Sequence, residues 1–210
     1  MITGGGRGIG RATALRFARA GAKVVVAART SSQLDAVVAE IGALGGEGLA
    51  AQMNVADHGS VEAAVYRSVE FLGGAMDVLV NCARVIQPKP FGETDVTNWR
   101  LQLEVNLYGP FFVTLESLDA LGESERAHVF NVCAPEARAA GPSQLAYNAS
   151  QQGLRGFSSA LSLDFASQGI RVTTVFSPAK GTLPDPAEVV AEAIFKAYQA
   201  GTAGEVDVTG

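Results

Sequence analysis

The sequence predicts an α/β chain, a parallel β-sheet covered by helices on both faces. Three observations carry this. Short apolar runs rich in β-branched residues alternate with segments of helical period along the whole chain. Several of those runs are apolar throughout, as strands covered on both faces require. The connections are short, which suits right-handed β–α–β crossovers. With 210 residues, 48% of them hydrophobic, the chain is expected to form one well-buried domain, residues 1–210, without linker or repeat.

Ile2 ends a first strand of which only Met1 and Ile2 precede the threonine, so the centre of the sheet reads as nearly missing. The other strands are read at Lys23–Ala28, Gly48–Met53, Asp77–Cys82, Ala127–Val132, Arg171–Phe176 and Glu205–Thr209. Between them, residues 31–46 carry Leu34, Val37, Val38, Ile41 and Leu44 at helical spacing behind a serine cap. Residues 57–74 repeat the design, with Asp57 as cap and Val61, Val65, Val69 and Leu72 inward. Residues 97–118 read as one long helix despite Pro110, residues 143–169 as a helix with Leu154, Phe157, Leu161 and Phe165 on one side, and residues 185–201 as the last helix.

Bulk properties exclude some partners. A net charge of −5 gives no electrostatic reason to expect nucleic acid or an anionic membrane. No apolar run approaches the ~20 residues that span a bilayer. The opening "MITGGGRGIG" lacks the apolar region of a secretory signal, so a cytoplasmic protein is expected. Cys82 and Cys133 lie in strand-like runs without metal-ligand spacing and read as small buried apolar residues; His58 and His128 read as structural.

The first turn carries the chemistry. "TGGGRGIG" sets Gly4, Gly8 and Gly10 between a strand and a helix, where glycine lets the backbone turn sharply and approach a pyrophosphate resting on the helix N-terminus. A domain that prefers NAD carries an acid at the end of its second strand. Here Ala28 and Arg29 stand there, and Arg7 lies inside the glycine loop, so two cations favour NADP(H) over NAD(H).

With these motifs the chain resembles the short-chain dehydrogenase/reductase family over essentially its whole length. The resemblance implies a doubly wound Rossmann fold with a parallel sheet of about seven strands, and hydride transfer between NAD(P)(H) and a small alcohol or carbonyl. It implies cofactor contacts from the loop residues Gly4, Arg7, Gly8, Ile9 and Gly10, and from Arg29. "MNVAD" adds Asn54 and Val55, with Asn54 where the adenine-contacting aspartate is usual, and "VNCAR" adds Asn81 and Ala83. "VNLYGPF" supplies Asn106 at the catalytic asparagine, and "YNASQ" supplies Tyr147 at the catalytic tyrosine, which also touches the cofactor. A homo-oligomer, dimer or tetramer, built on the two helices that contain Asn106 and Tyr147 is implied as well.

The departures bear on activity. The family serine falls at Ala134, and the lysine one helical turn after the tyrosine is Gln151. Cys133 adjoins Ala134, but neighbouring strand residues face opposite ways. Arg84 replaces the last glycine of the Asn-Asn-Ala-Gly motif, Pro178-Ala179 replaces Pro-Gly, and almost no chain separates "SPAKGT" from "DPAEVV", where the family folds a substrate lid. A free tyrosine has a pKa of ~10 and is a sluggish proton shuttle at neutrality. Glutamine has no charge with which to help it, and Lys180 or Arg84 are the cations positioned to substitute. The expectation is an NADP(H)-dependent oxidoreductase of a small carbonyl; the alternatives are a silent dinucleotide-binding or oligomeric scaffold protein, and a chain whose groove Arg84 has filled.

Overall fold

The computed structural model describes residues 1–179, 181–183 and 185–208. Its seven strands form one parallel sheet: β1 (Ile2–Thr3), β2 (Val24–Ala28), β3 (Gly48–Gln52), β4 (Val78–Asn81), β5 (His128–Cys133), β6 (Arg171–Phe176) and β7 (Gly204–Asp207). The order is β3-β2-β1-β4-β5-β6-β7. The chain steps outward from β1 to β3, then returns to lay β4 on the other side of β1. The loops after β1 and β4 therefore diverge, and a crevice opens at the carboxyl ends of those strands. The two-residue β1 is central all the same, with Ile2 opposite Val26 on one side and Val80 on the other.

Eight α-helices cover the sheet: α1 (Gly8–Arg19), α2 (Ser31–Ala43), α3 (His58–Leu72), α4 (Val96–Leu103), α5 (Gly109–Glu116), α6 (Leu118–Gly122), α7 (Leu145–Phe165) and α8 (Pro186–Ala200). Successive strand residues feed opposite faces. Val25, Leu79 and Val129 pack among Val61, Val65, Val113 and Phe165. Val24, Val26, Val80 and Phe130 pack among Leu15, Leu34, Ile41 and Ile194. Both faces are thus buried, which explains why these strands read as unbroken apolar runs.

Several sequence boundaries move by a residue. The last strand is Gly204–Asp207 rather than Glu205–Thr209, and Thr209 lies outside the described residues. The larger difference is the helix expected over 97–118. α4 runs into a π-turn at Glu104–Tyr108, and α5 restarts at Gly109 with Pro110 in its first turn. The wider turn accommodates the missing proline N–H, and Gly109 permits close packing, since a Cβ there would meet Val55 Cβ at 2.9 Å. Asn106 is turned inward by that bulge and is fully buried.

The two histidines have separate surroundings. His58 bonds Glu116 at 2.7 Å and stacks on Phe112 at the surface. His128 is buried in β5, stacked on Phe130, with Nε2 2.8 Å from Thr173 Oγ1. Burial, with Arg171 adding repulsion, pushes its imidazole down to about 4. Stability from the neutral ring is therefore complete above pH 6.5 and lost as pH falls through 4, a difference of about 3 kcal/mol. Urea unfolding at pH 7 and pH 4 is expected to show this loss in the wild type and a smaller one in His128→Gln. Equal losses would assign the acid sensitivity elsewhere.

Candidate active site

The crevice begins where Thr3 gives way to the glycine loop. Thr3 Oγ1 accepts from the N–H groups of Cys82 and Ala83 at 3.0 and 3.1 Å, tying the loops after β1 and β4 together. Gly4, at φ +66°, lies against Ala83 so closely that a Cβ would stand 3.0 Å from its Cα and N. Gly10, in the first turn of α1, is tighter still: a Cβ there would meet the Gly4 carbonyl oxygen at 2.3 Å. At Gly8, φ +53° favours glycine although the space beyond is open.

Asp57, Asp95 and Asp185 cap α3, α4 and α8 by accepting from the N–H groups of Ser60, Asn98 and Glu188. α1 has no side-chain cap and no acid in its first turn. Its first N–H groups and the positive end of its dipole are left for an anion in the crevice.

The crevice is a groove of about 810 Å³. Its wall gathers most of the residues that the sequence nominated: Gly4, Arg7, Gly8 and Ile9, then Arg29, Asn54 and Val55, then Ala83. Arg7, Arg29 and Arg84 line it, and among the described lining residues there is no carboxylate. These features fit a dinucleotide, with a glycine cradle and an uncapped helix N-terminus for the pyrophosphate. Asn81 lies elsewhere. Its side chain is buried, with Nδ2 donating to Thr114 Oγ1 at 3.2 Å and Asn131 Oδ1 at 2.9 Å.

Three residues spaced by four along α4 and the π-turn hold the loop after β4. Gln102 Oε1 accepts from Gln87 N–H at 3.1 Å, and Asn98 Nδ2 donates to Gln87 O at 3.1 Å. Asn106 Oδ1 accepts from Val85 N–H and its Nδ2 donates to Val85 O, both at 2.8 Å. The same Nδ2 lies 3.0 Å from Ser150 Oγ, which donates to Tyr147 O at 2.8 Å. Residues 84–87 are thereby clamped between α4 and the first turns of α7.

Tyr147 lies at that junction and is 3% exposed. Burial pushes its phenol up to about 12, against the pull of the Arg84 guanidinium; Glu136 and Cys133 add to the rise. Gln151, 1% exposed, accepts from the Ala134 N–H at 2.8 Å, and its Nε2 has no hydrogen-bond partner among the described residues. The two positions where the resemblance leads one to expect serine and lysine are therefore bonded to each other. Cys133 faces the core among Ala137, Leu154 and Phe176, and burial drives its thiol up to about 12, so it is inert.

Residues 1–182 match the family model described as short chain dehydrogenase. The chain belongs to that family. This short-chain dehydrogenase is 34% identical over 176 residues to the 3-oxoacyl-[acyl-carrier-protein] reductase of Synechocystis sp., covering 83% of the chain and 71% of the relative. Its fold superposes with TM-score 0.88 on a metagenomic short-chain oxidoreductase solved in complex with NADP, at 30% identity over 100% of this chain and 96% of that one. The 3-ketoacyl-(acyl-carrier-protein) reductase of Brucella melitensis complexed with NADH aligns at TM-score 0.87 and 25% identity, covering 99% and 94%. Nucleotide-bound members thus share the Rossmann architecture described above.

Sequence reasoning missed part of the groove. Thr30 and Gln33 extend its wall beside Arg29, and Pro186 and Ala187 bring the start of α8 to it from the far end of the chain. It also missed the clamp. Polar residues at 98, 102 and 106 recur every fourth position on a helix, a signal that marks one face. Lys180, the other cation considered near Tyr147, lies outside the described residues. No described helix is long and apolar enough to cross a membrane.

Proposed function

We propose that this short-chain dehydrogenase is an NADP(H)-dependent reductase of small carbonyl compounds in which Tyr147 donates the proton and Asn106 positions the loop facing it. One observation carries the reading: a glycine-floored groove with three arginines and no described carboxylate, running to Arg84 beside Tyr147. Arg29 and Arg7 are the residues assigned to the 2′-phosphate, with Asn54 and Val55 at the adenine and Ala83 along the dinucleotide. Gly10 acts from beneath the loop, and Asn81 through the packing of β4.

The high pKa of Tyr147 favours one direction of reaction. With the phenol at about 12, only about 1 molecule in 10⁵ holds a phenolate base at pH 7. Alcohol oxidation at neutrality therefore lacks its base, whereas a protonated phenol is the acid that carbonyl reduction needs. Exposed Tyr108 at the end of the π-turn, Phe111 and Leu115 on α5 and Leu163 on α7 support the proposal that the enzyme is a homo-oligomer. We place it in the cytoplasm, where free thiols such as Cys82 and Cys133 stay reduced.

A dinucleotide-binding protein without turnover is the second reading. It is favoured by the bond from Gln151 to Ala134, which leaves an uncharged amide one turn from Tyr147. Titration of NADPH and NADH against the fluorescence of Trp99, followed by assay over a carbonyl panel, separates the two. Expected are tighter binding of NADPH, a preference reduced about 10- to 100-fold by Arg29→Ala, and turnover that Tyr147→Phe abolishes. Binding without turnover selects the second reading. Binding of neither nucleotide overturns both.

A further inference from the structure

The active-site helix holds no cation at Gln151, yet the site contains one from another element. Arg84 stands where the family motif ends in glycine; it lines the groove, and its charge pulls the Tyr147 phenol down against the effect of burial. Its position is built by the fold. The next residue, Val85, is held at both its N–H and its C=O by Asn106. Asn106 in turn bonds Ser150, one turn along α7 from Tyr147. Thr3 holds Ala83 on the preceding side. The backbone of Arg84 is therefore fixed between two anchored neighbours, in the loop that Asn106 ties to α7. The Gln151 carboxamide oxygen is taken by the Ala134 N–H, and the side chain carries no charge with which to stabilise a phenolate.

We propose that Arg84 is a catalytic residue of this enzyme: the cation that stabilises the Tyr147 phenolate, delivered from the loop after β4 instead of from α7. The inference rests on the reductase reading. As the carbonyl carbon accepts hydride from the dinucleotide, which is oxidised thereby, the C=O π pair moves to the oxygen, and that oxygen takes the Tyr147 proton. The phenolate left behind faces the guanidinium of Arg84 until a proton from solvent restores it. A guanidinium stays charged through the cycle, whereas a buried lysine loses its proton readily. Asn106 and Ser150 are positioning residues for Arg84 in this scheme.

The titratable and charged groups that act on the phenol are Arg84 from the loop after β4, Glu136 from the turn after β5, and Cys133 of β5, whose thiol packs in the core. The test measures phenol ionisation without turnover. Fluorinated tyrosine, with its more acidic phenol, brings the titration into the range where folded proteins survive, and ¹⁹F NMR follows each of the four tyrosines. Tyr147→Phe identifies the resonance. In Arg84→Gln the Tyr147 midpoint is expected about one to three pH units higher than in the wild type, with Arg84→Lys between them. Unchanged midpoints overturn the proposal, whatever the activity. In the activity arm, Arg84→Gln is expected to lower kcat for reduction tenfold or more and Arg84→Lys to recover part of it. Loss of turnover in Tyr147→Phe with full kcat in Arg84→Gln also overturns the proposal while the reductase reading stands. Absence of turnover in the wild type with an Arg84-dependent midpoint overturns the reductase reading, and with it the catalytic role, leaving Arg84 as the phenol's charge partner.

Discussion

Replacing Gly10 with alanine abolishes dinucleotide binding and lowers the melting temperature by roughly 6–12 °C. The physical cause is backbone against backbone. A Cβ on Gly10 would stand 2.3 Å from the Gly4 oxygen and 2.7 Å from its carbonyl carbon. Gly4 cannot retreat, because its own position is pressed at 3.0 Å against the main chain of Ala83. Relief requires α1 to move off β1, opening the contact on which the cradle is built. Overpacking of this kind costs about 3 kcal/mol, which for a chain of this size gives the stated fall. Gly8→Ala is the control, since its Cβ would meet nothing, and only the positive φ costs about 1 kcal/mol. A wild-type melting curve for Gly10→Ala would show that the loop is looser than the structure has it.

The second large effect is a gain. Combining Ala134→Ser, Gln151→Lys and Arg84→Gly is expected to raise carbonyl reduction by about 10²–10³-fold over wild type. The changes must be made together. Gln151→Lys alone removes the acceptor for the Ala134 N–H and buries an ammonium in a site that already contains Arg84. Leaving a buried charge uncompensated costs about 3–5 kcal/mol, so that single variant is expected to be unstable and slow. Removing Arg84 at the same time clears the competing cation and returns the turn after β4 to glycine. Initial rates with NADPH over the same carbonyl panel decide the matter. A stable, nucleotide-binding triple variant with no gain in rate would mean that the absent serine and lysine do not limit the reaction.

The parts of this chain that could be read in advance are those where one residue type alone fits. Close approach of main chain to main chain needs glycine, and Gly4 and Gly10 announced theirs. Parallel strands covered on both faces need unbroken apolar runs, and Val24–Val26 and Leu79–Val80 supplied them. Long local preference misled at residues 97–118, because the π-turn that aims Asn106 inward depends on Gly109 packing against Val55, a contact made far along the chain. Motif position did not reveal that the Asn81 side chain is claimed by Thr114 and Asn131.

By itself the sequence determined the Rossmann architecture, the place of the cofactor groove, its arginine-rich character and the two gaps at Ala134 and Gln151. Those follow from residue type and order. Only the tertiary structure decided that Gln151 closes onto Ala134, that α8 helps wall the groove, and that Arg84 faces Tyr147. Each of these joins residues from different elements, and which side chain meets which is settled by packing and by hydrogen bonds such as that between Asn106 and Val85.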